Sequence, residues 1–186
     1  FEDCFYPHIS GTAQSHNYYP VAHMQPDEGF AVLAVGLGTY VVEGERTFRF
    51  SPKYPTIEIN SQKDIYKSSQ VEFFAVDLKK REMNLIESED AGLVRLEIEE
   101  AKKHGTIKHC ASVYDFDNER IVPGIDTYGP IVINFANILK YNYIPLAETI
   151  SKVLEIIREA MGSPVEIEYA VDLNKDKDGK TSFYLL

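Results

Sequence analysis

The clearest hydrophobic period in the chain lies near its end. Leu146, Ile150, Val153, Leu154, Ile157 and Met161 recur at helical steps and predict one amphipathic helix from Pro145 to Met161, with Gly162 after it. The next segment switches to a period of two. Val165, Ile167, Tyr169 and Val171 alternate with Glu166, Glu168 and Asp172, which predicts a strand over Pro164 to Leu173 with an apolar face and an acidic face. A polar turn at Asn174 to Lys180 and a final strand follow. Upstream, Ile9 to Ser15 reads as a strand, and the glycine-bounded run Phe30 to Val35 as a buried one. Tyr40-Val41-Val42 fits a short strand or a helical turn. Thr47 to Phe50 alternates and stops at Ser51-Pro52, as an edge strand does. Val71 to Leu78, His109 to Tyr114 and Ile131 to Phe135 are further strands, with Asp115 to Asn118 as a turn. Residues 80–92 are charged and expected to be exposed. Leu93 to His104 predicts a second helix, closed by Lys102, Lys103 and the cation His104, with Gly105 as its left-handed stop. Hairpins mixed with about two packed helices predict an α+β fold with a mostly antiparallel sheet.

Length changes this picture little: 186 residues, 44% of them hydrophobic, suffice for one domain or two small lobes. The last residues, Ser182 to Leu186, read as a strand cut in mid-run, and residues 1–186 are therefore expected to be one domain fragment, truncated at both ends. No apolar run approaches the ~20 residues of a membrane helix. The net charge of -10 and the absence of a basic stripe argue against nucleic acid as the main partner. Cys4 and Cys110 stand far apart, which excludes a disulfide framework and favours the cytoplasm.

Chemistry is concentrated in few places. On a strand, Glu166 and Glu168 would stand roughly 7 Å apart on one face. Such a pair can hold Mg²⁺ against phosphate oxygens, or it can simply be the wet face of an amphipathic strand. Asn174, Asp176, Asp178 and Gly179 match the first positions of a calcium loop, but Leu185 falls where the closing Glu belongs; a hairpin turn explains the same residues. Gly36 and Gly38, with Gly44, suggest close backbone approach, though neither a dinucleotide fingerprint nor a P-loop is present. The five histidines form no zinc pattern.

Taken together, three motifs carry a resemblance. Ile9-Ser10-Gly11-Thr12-Ala13-Gln14-Ser15, then Val35-Gly36-Leu37-Gly38 with Val41-Val42-Glu43-Gly44, then Glu166-Ile167-Glu168-Tyr169 occur in an order and spacing that resembles the nucleotide-binding domain of the phosphoenolpyruvate synthase and pyruvate phosphate dikinase family. Residues 9–50 and 125–186 carry the likeness. It implies the C-terminal lobe of an ATP-grasp domain, with ATP and Mg²⁺ as cofactors, Gly36, Gly38 and Glu168 at the ATP, and Glu166 and Glu168 at the metal. It also implies partners outside this chain: an N-terminal lobe bearing phosphate-binding Lys and Arg, and a phosphohistidine domain that passes phosphate to pyruvate or a related acceptor. No catalytic residue is assigned within the chain, and the fragment is not expected to turn over ATP alone. Thr39 and Thr12-Ala13-Gln14-Ser15 depart from the family pattern and point to a divergent branch. The rival expectations are a calcium-binding module or a non-catalytic acidic interaction domain.

Overall fold

The computed structural model describes residues 3–43, 46–79 and 92–186. Its elements run β1 (Cys4–Phe5), β2 (Ile9–Gln14), β3 (Phe30–Ala34), α1 (Thr39–Val42), β4 (Phe48–Phe50), α2 (Gln62–Lys67), β5 (Glu72–Asp77), β6 (Leu93–Glu97), α3 (Ile98–His104) and β7 (Ala111–Asp115). They continue with β8 (Arg120–Pro123), β9 (Ile131–Ile133), α4 (Ala136–Leu139), α5 (Leu146–Met161), β10 (Glu166–Asp172) and β11 (Ser182–Leu185). The fold is α+β, and every strand pair among the described residues is antiparallel. The strands form a five-stranded sheet in the order β11-β10-β2-β3-β4, and two three-stranded sheets, β1-β5-β6 and β8-β7-β9.

The five-stranded sheet follows from the two-residue alternation. Ile167, Tyr169 and Val171 of β10 are buried with Ile9 and Ala13 of β2 and Ala31 and Leu33 of β3. Helix α5 closes this face with Leu146, Ile150 and Leu154, each worth about 1.5–3 kcal/mol when fully buried. Its apolar stripe ends early, because Met161 in the last turn is 68% exposed. Tyr169 fits into the layer only because its neighbour across β2 is Gly11; a Cβ there would collide with the Tyr169 ring and the Val32 carbonyl. The Tyr169 hydroxyl then donates to Val32 O at 3.0 Å, so its one polar atom is satisfied.

Several expectations shift. Leu93 to Glu97 is a strand, not the first turns of a helix. Val94 and Leu96 lean on the core while Arg95 and Glu97 point out, a period of two that pairing with β5 enforces. Helix α3 begins only at Ile98, and Gly105 ends it with φ 74°, as its sequence predicts. Five α-helical segments are present among the described residues rather than about two. The missed helix α2 carries a readable start signal: Ser61 accepts from Asp64 N and also donates to the Asp64 carboxylate. The strand expected to reach Phe135 stops at Ile133, because Phe135 takes φ 53° and opens α4. Phe73 and Phe74 lie on opposite faces of β5: Phe73 is buried, while Phe74 carries Arg95 over its ring at 5.0 Å on the other side. The expected exposure of residues 80–92 falls, but for Gly92, outside the described residues, as does Gly44.

One buried amide joins the sheets. Gln70 accepts from Val35 N at 2.8 Å and donates to Val35 O and Glu72 O, both at 2.9 Å. Its neighbour Ser69 accepts from Ile133 N at 2.8 Å. The end of β3, the start of β5 and strand β9 therefore meet at two adjacent side chains. Gln70→Leu, nearly isosteric, would strand the N–H and C=O of Val35 in the interior. We expect a loss of at least about 2 kcal/mol, from the cost of unpaired buried polar groups, read as a lowered midpoint in denaturant titration; an unchanged midpoint would refute the clamp.

Candidate functional site

The second face of the five-stranded sheet lies opposite the one that α5 covers, and its β10 row is polar. Glu166 stands opposite Gln14, and Glu168 opposite Thr12. Both carboxylates are exposed, and neither has a hydrogen-bond or ion-pair partner among the described residues. Register extends the Glu168 row across the sheet: Thr12 faces Val32, and Val32 faces Arg49. Three strand spacings separate Glu168 from Arg49, about 14 Å between backbones.

Arg49 was not foreseen. Its guanidinium lies over Phe30 at 4.1 Å and donates to Asn17 Oδ1 at 3.0 Å and Tyr19 O at 3.3 Å. No carboxylate pairs with it among the described residues, its Nε is buried without an acceptor, and burial lowers its pKa. The signal was a lone cation between two aromatics in Thr47-Phe48-Arg49-Phe50, but only strand register places it on the face of Glu168.

The glycines divide. Gly36 is buried with φ 89°, and a Cβ would approach Phe74 O to 2.8 Å and Phe73 Cβ to 2.9 Å. Its carbonyl accepts from Ser10 Oγ at 2.7 Å. Gly36 is thus a structural turn. Gly38 opens α1, a Cβ on it would meet only Ser10 Cβ, at an ordinary 4.0 Å, and it lines a cleft of about 540 Å³ at the β10 end of the same face. Ser10, Leu37, Ala170, Asp172 and Tyr184 line it too. Glu166 and Glu168 stand beside this cleft, not in it.

Histidine chemistry borders the cleft. Leu173 N donates to His8 Nδ1 at 3.2 Å, and Asp172 Oδ1 lies 3.1 Å from the same nitrogen. Burial lowers the His8 pKa, outweighing the Asp172 carboxylate that raises it. His104, expected as a helix-end cation, instead lies 2.8 Å from the Tyr6 hydroxyl through Nδ1, and burial lowers its pKa as well. Burial outweighs the Thr106 contact and leaves Tyr6 pushed up to about 12.

The segment from Asn174 to Lys180 is a hairpin turn. Asp176 Oδ1 accepts from Asp178 N at 2.9 Å and from Lys180 N at 2.8 Å, and Gly179 takes φ 76°. The spacing of a calcium loop arises from that turn. Among the described residues no group of three or more His, Cys, Asp and Glu gathers at one point. No helix among them is long and apolar enough to cross a membrane. Compared with protein-family models, curated proteins and solved structures, the chain gave no match.

Two outcomes follow from this geometry. Gly36→Ala should destabilise the fold by at least about 1–3 kcal/mol through strain at positive φ, whereas Gly38→Ala should melt like the parent; equal melting of the two would refute the division. His8, His104 and His109 all have lowered pKa, each first by burial. Below the unfolded value of about 6.5, the unfolded chain binds protons that the folded chain does not. Stability is therefore full above that value and falls as pH drops toward the folded pKa values. Melting temperature should decline between pH 7 and pH 5, and a flat profile would contradict it.

Proposed function

We propose that the open face of the five-stranded sheet is one half of an ATP- and Mg²⁺-binding site, in the C-terminal lobe of an ATP-grasp domain of a phosphoenolpyruvate-synthase-like phosphotransferase. The carrying observation is the pair Glu166 and Glu168: exposed, unpartnered and side by side on a strand whose other face is sealed in the core. Two carboxylates and no larger ligand cluster among the described residues suit Mg²⁺, which is held by one or two carboxylates together with substrate phosphates rather than by a protein cage. When bound, the ion neutralises phosphate charge. Glu168 and Glu166 would hold it from the sheet. Arg49, at the far end of the row, offers a guanidinium that no carboxylate of the described residues has claimed.

The reading makes the chain a half-site. A second lobe would close over the nucleotide and exclude water, and a separate histidine domain would receive the phosphoryl group. The buried free thiols Cys4 and Cys110 suit a reducing cytoplasm.

Glu168→Gln keeps the shape of the side chain and removes its charge. In the intact parent protein it should lower ATP-dependent phosphotransfer at least ~10²-fold, the scale of losing one electrostatic stabiliser. Folding should change by less than about 1 kcal/mol, since the side chain is exposed. Early melting with normal activity per folded molecule would make Glu168 structural and end the assignment.

A further inference from the structure

We propose that His8 is a pH-dependent latch: charging its ring moves the Nδ1 contact from the Leu173 N–H to the Asp172 carboxylate and releases the segment that joins β10 to β11. The latch stands independently of the nucleotide reading. One nitrogen faces two partners of opposite kind. Nδ1 lies 3.2 Å from Leu173 N, a donor, and 3.1 Å from Asp172 Oδ1, an acceptor. A ring nitrogen either carries a proton or offers a lone pair, so it serves only one of them at a time. His8 immediately precedes β2, whose first residue Ile9 pairs with Val171, and Leu173 is the residue at which the chain leaves β10. The contact therefore ties the start of one strand to the exit of its neighbour. Beyond it run the turn at Asp176 and then β11, where Tyr184 and the following Leu186 line the cleft.

The two partners differ in need. Leu173 is buried, 5% exposed, and its N–H meets no backbone carbonyl among the described residues. The Asp172 side chain is 41% exposed, and its Oδ1 already accepts from Asn174 N at 2.9 Å. The buried donor therefore has the stronger claim on the lone pair of the neutral ring. In the imidazolium both nitrogens donate. Whichever tautomer the neutral ring holds, the charged ring offers Leu173 N no acceptor, and its Nδ1–H turns to Asp172. The added proton comes from solvent, since His8 lines the cleft. A charge-assisted bond replaces a neutral one, so the fold retains the charged ring while Leu173 loses its tie.

The surrounding charges set the balance. Burial opposes the charged ring and Asp172 favours it; burial prevails, so the latch is closed at neutral pH and opens in acid. His109, just before β7, would oppose the charge if it were charged too, but burial, Lys108 and Lys175 hold it toward its neutral form. Lys175 lies over the Tyr143 ring, which stacks on His109 at 3.8 Å. His104 and Tyr6 line the same cleft and contact each other.

The test is a pH titration of the full chain by NMR, reading the His8 ring nitrogens and the hydrogen exchange of the Leu173 amide. At about pH 7.5, above the ordinary histidine value, the ring should carry its proton on Nε2. As His8 charges, Leu173 protection, corrected for the intrinsic pH dependence of exchange, should fall about tenfold, the scale of one lost hydrogen bond. Both changes should share one midpoint. The amide of Tyr169, inside the β2–β10 ladder, should keep its protection through that step. Asp172→Asn should move both midpoints down together, because the charge that favours the imidazolium is gone. His8→Phe should leave Leu173 weakly protected at every pH, with no step; should that variant fail to fold, Asp172→Asn, at a partly exposed carboxylate, decides the matter. A neutral ring protonated on Nδ1, a Leu173 amide indifferent to His8 charging, or midpoints that part in Asp172→Asn would each overturn the latch. Protection lost equally at Tyr169 would mean general acid unfolding and would overturn it too.

Discussion

One buried side-chain amide joins the end of β3 in the five-stranded sheet to β5, the hydroxyl of Ser69 beside it reaches β9 of the third sheet, and the open face depends on that junction. Gln70 completes the hydrogen bonds of Val35 at the point where β3 leaves its sheet, and those of Glu72 where β5 begins. Without a side chain reaching in, the Val35 N–H and C=O would lie unpaired in the interior. The chain can therefore turn at Gly36, run beside β5 through the 3.0 Å bond from Leu37 N to Phe74 O, and start α1 at the mouth of the cleft. The cleft wall is thus a consequence of how two sheets are joined. The wall is held from beneath by these hydrogen bonds to the backbone.

Strand β10 shows how a single segment serves two masters. Its odd positions supply core: Ile167, Tyr169 and Val171. Its even positions supply charge. A slip of one residue would bury Glu166 and Glu168 and expose Tyr169, so the pattern itself fixes register. Gly11 matters for the same reason. It makes room for a ring at the centre of the sheet, and the Val32 carbonyl takes that ring's hydroxyl. Burial keeps the Tyr169 phenol far above its usual pKa, so it stays a neutral donor. The carboxylates can then remain solvated without a compensating charge beneath them.

Local periodicity made much of this legible. The strands at Ile9, Phe30 and Glu166, the long helix and the hairpin at Asp176 follow from patterns within one segment, and the carboxylate face follows from parity alone. What stayed hidden depends on partners distant in sequence. Leu93 to Glu97 reads as the first turns of a helix, and only pairing with β5 gives it a period of two. Arg49 and Glu168 share a row only through the registers of three strand pairs. The cleft is assembled from segments around residues 5–10, 37–38, 104–106 and 170–186, and no local motif announces such a meeting. Gly36 and Gly38 look alike in the sequence; only backbone angle and surrounding space separate the turn from the cleft wall.

Charge is distributed across the open face with a direction. The chain carries a net -10, yet the row that begins with an unpaired carboxylate at Glu168 ends at Arg49, whose guanidinium meets no carboxylate among the described residues. Either group alone would be ordinary surface. In one row, about 14 Å apart, they are too far to neutralise each other, since water and salt screen exposed charges beyond roughly 8–10 Å. Neither therefore serves as the other's counter-charge. Arg49 is the more demanding of the two, because its stem is packed on Phe30, its Nε is buried without an acceptor, and its other bonds go only to neutral oxygens. A ligand that is anionic along its length, and that brings a cation to the carboxylate end, meets both demands at once. A small neutral ligand meets neither, and a protein surface would have to match both charges and the flat ground between them.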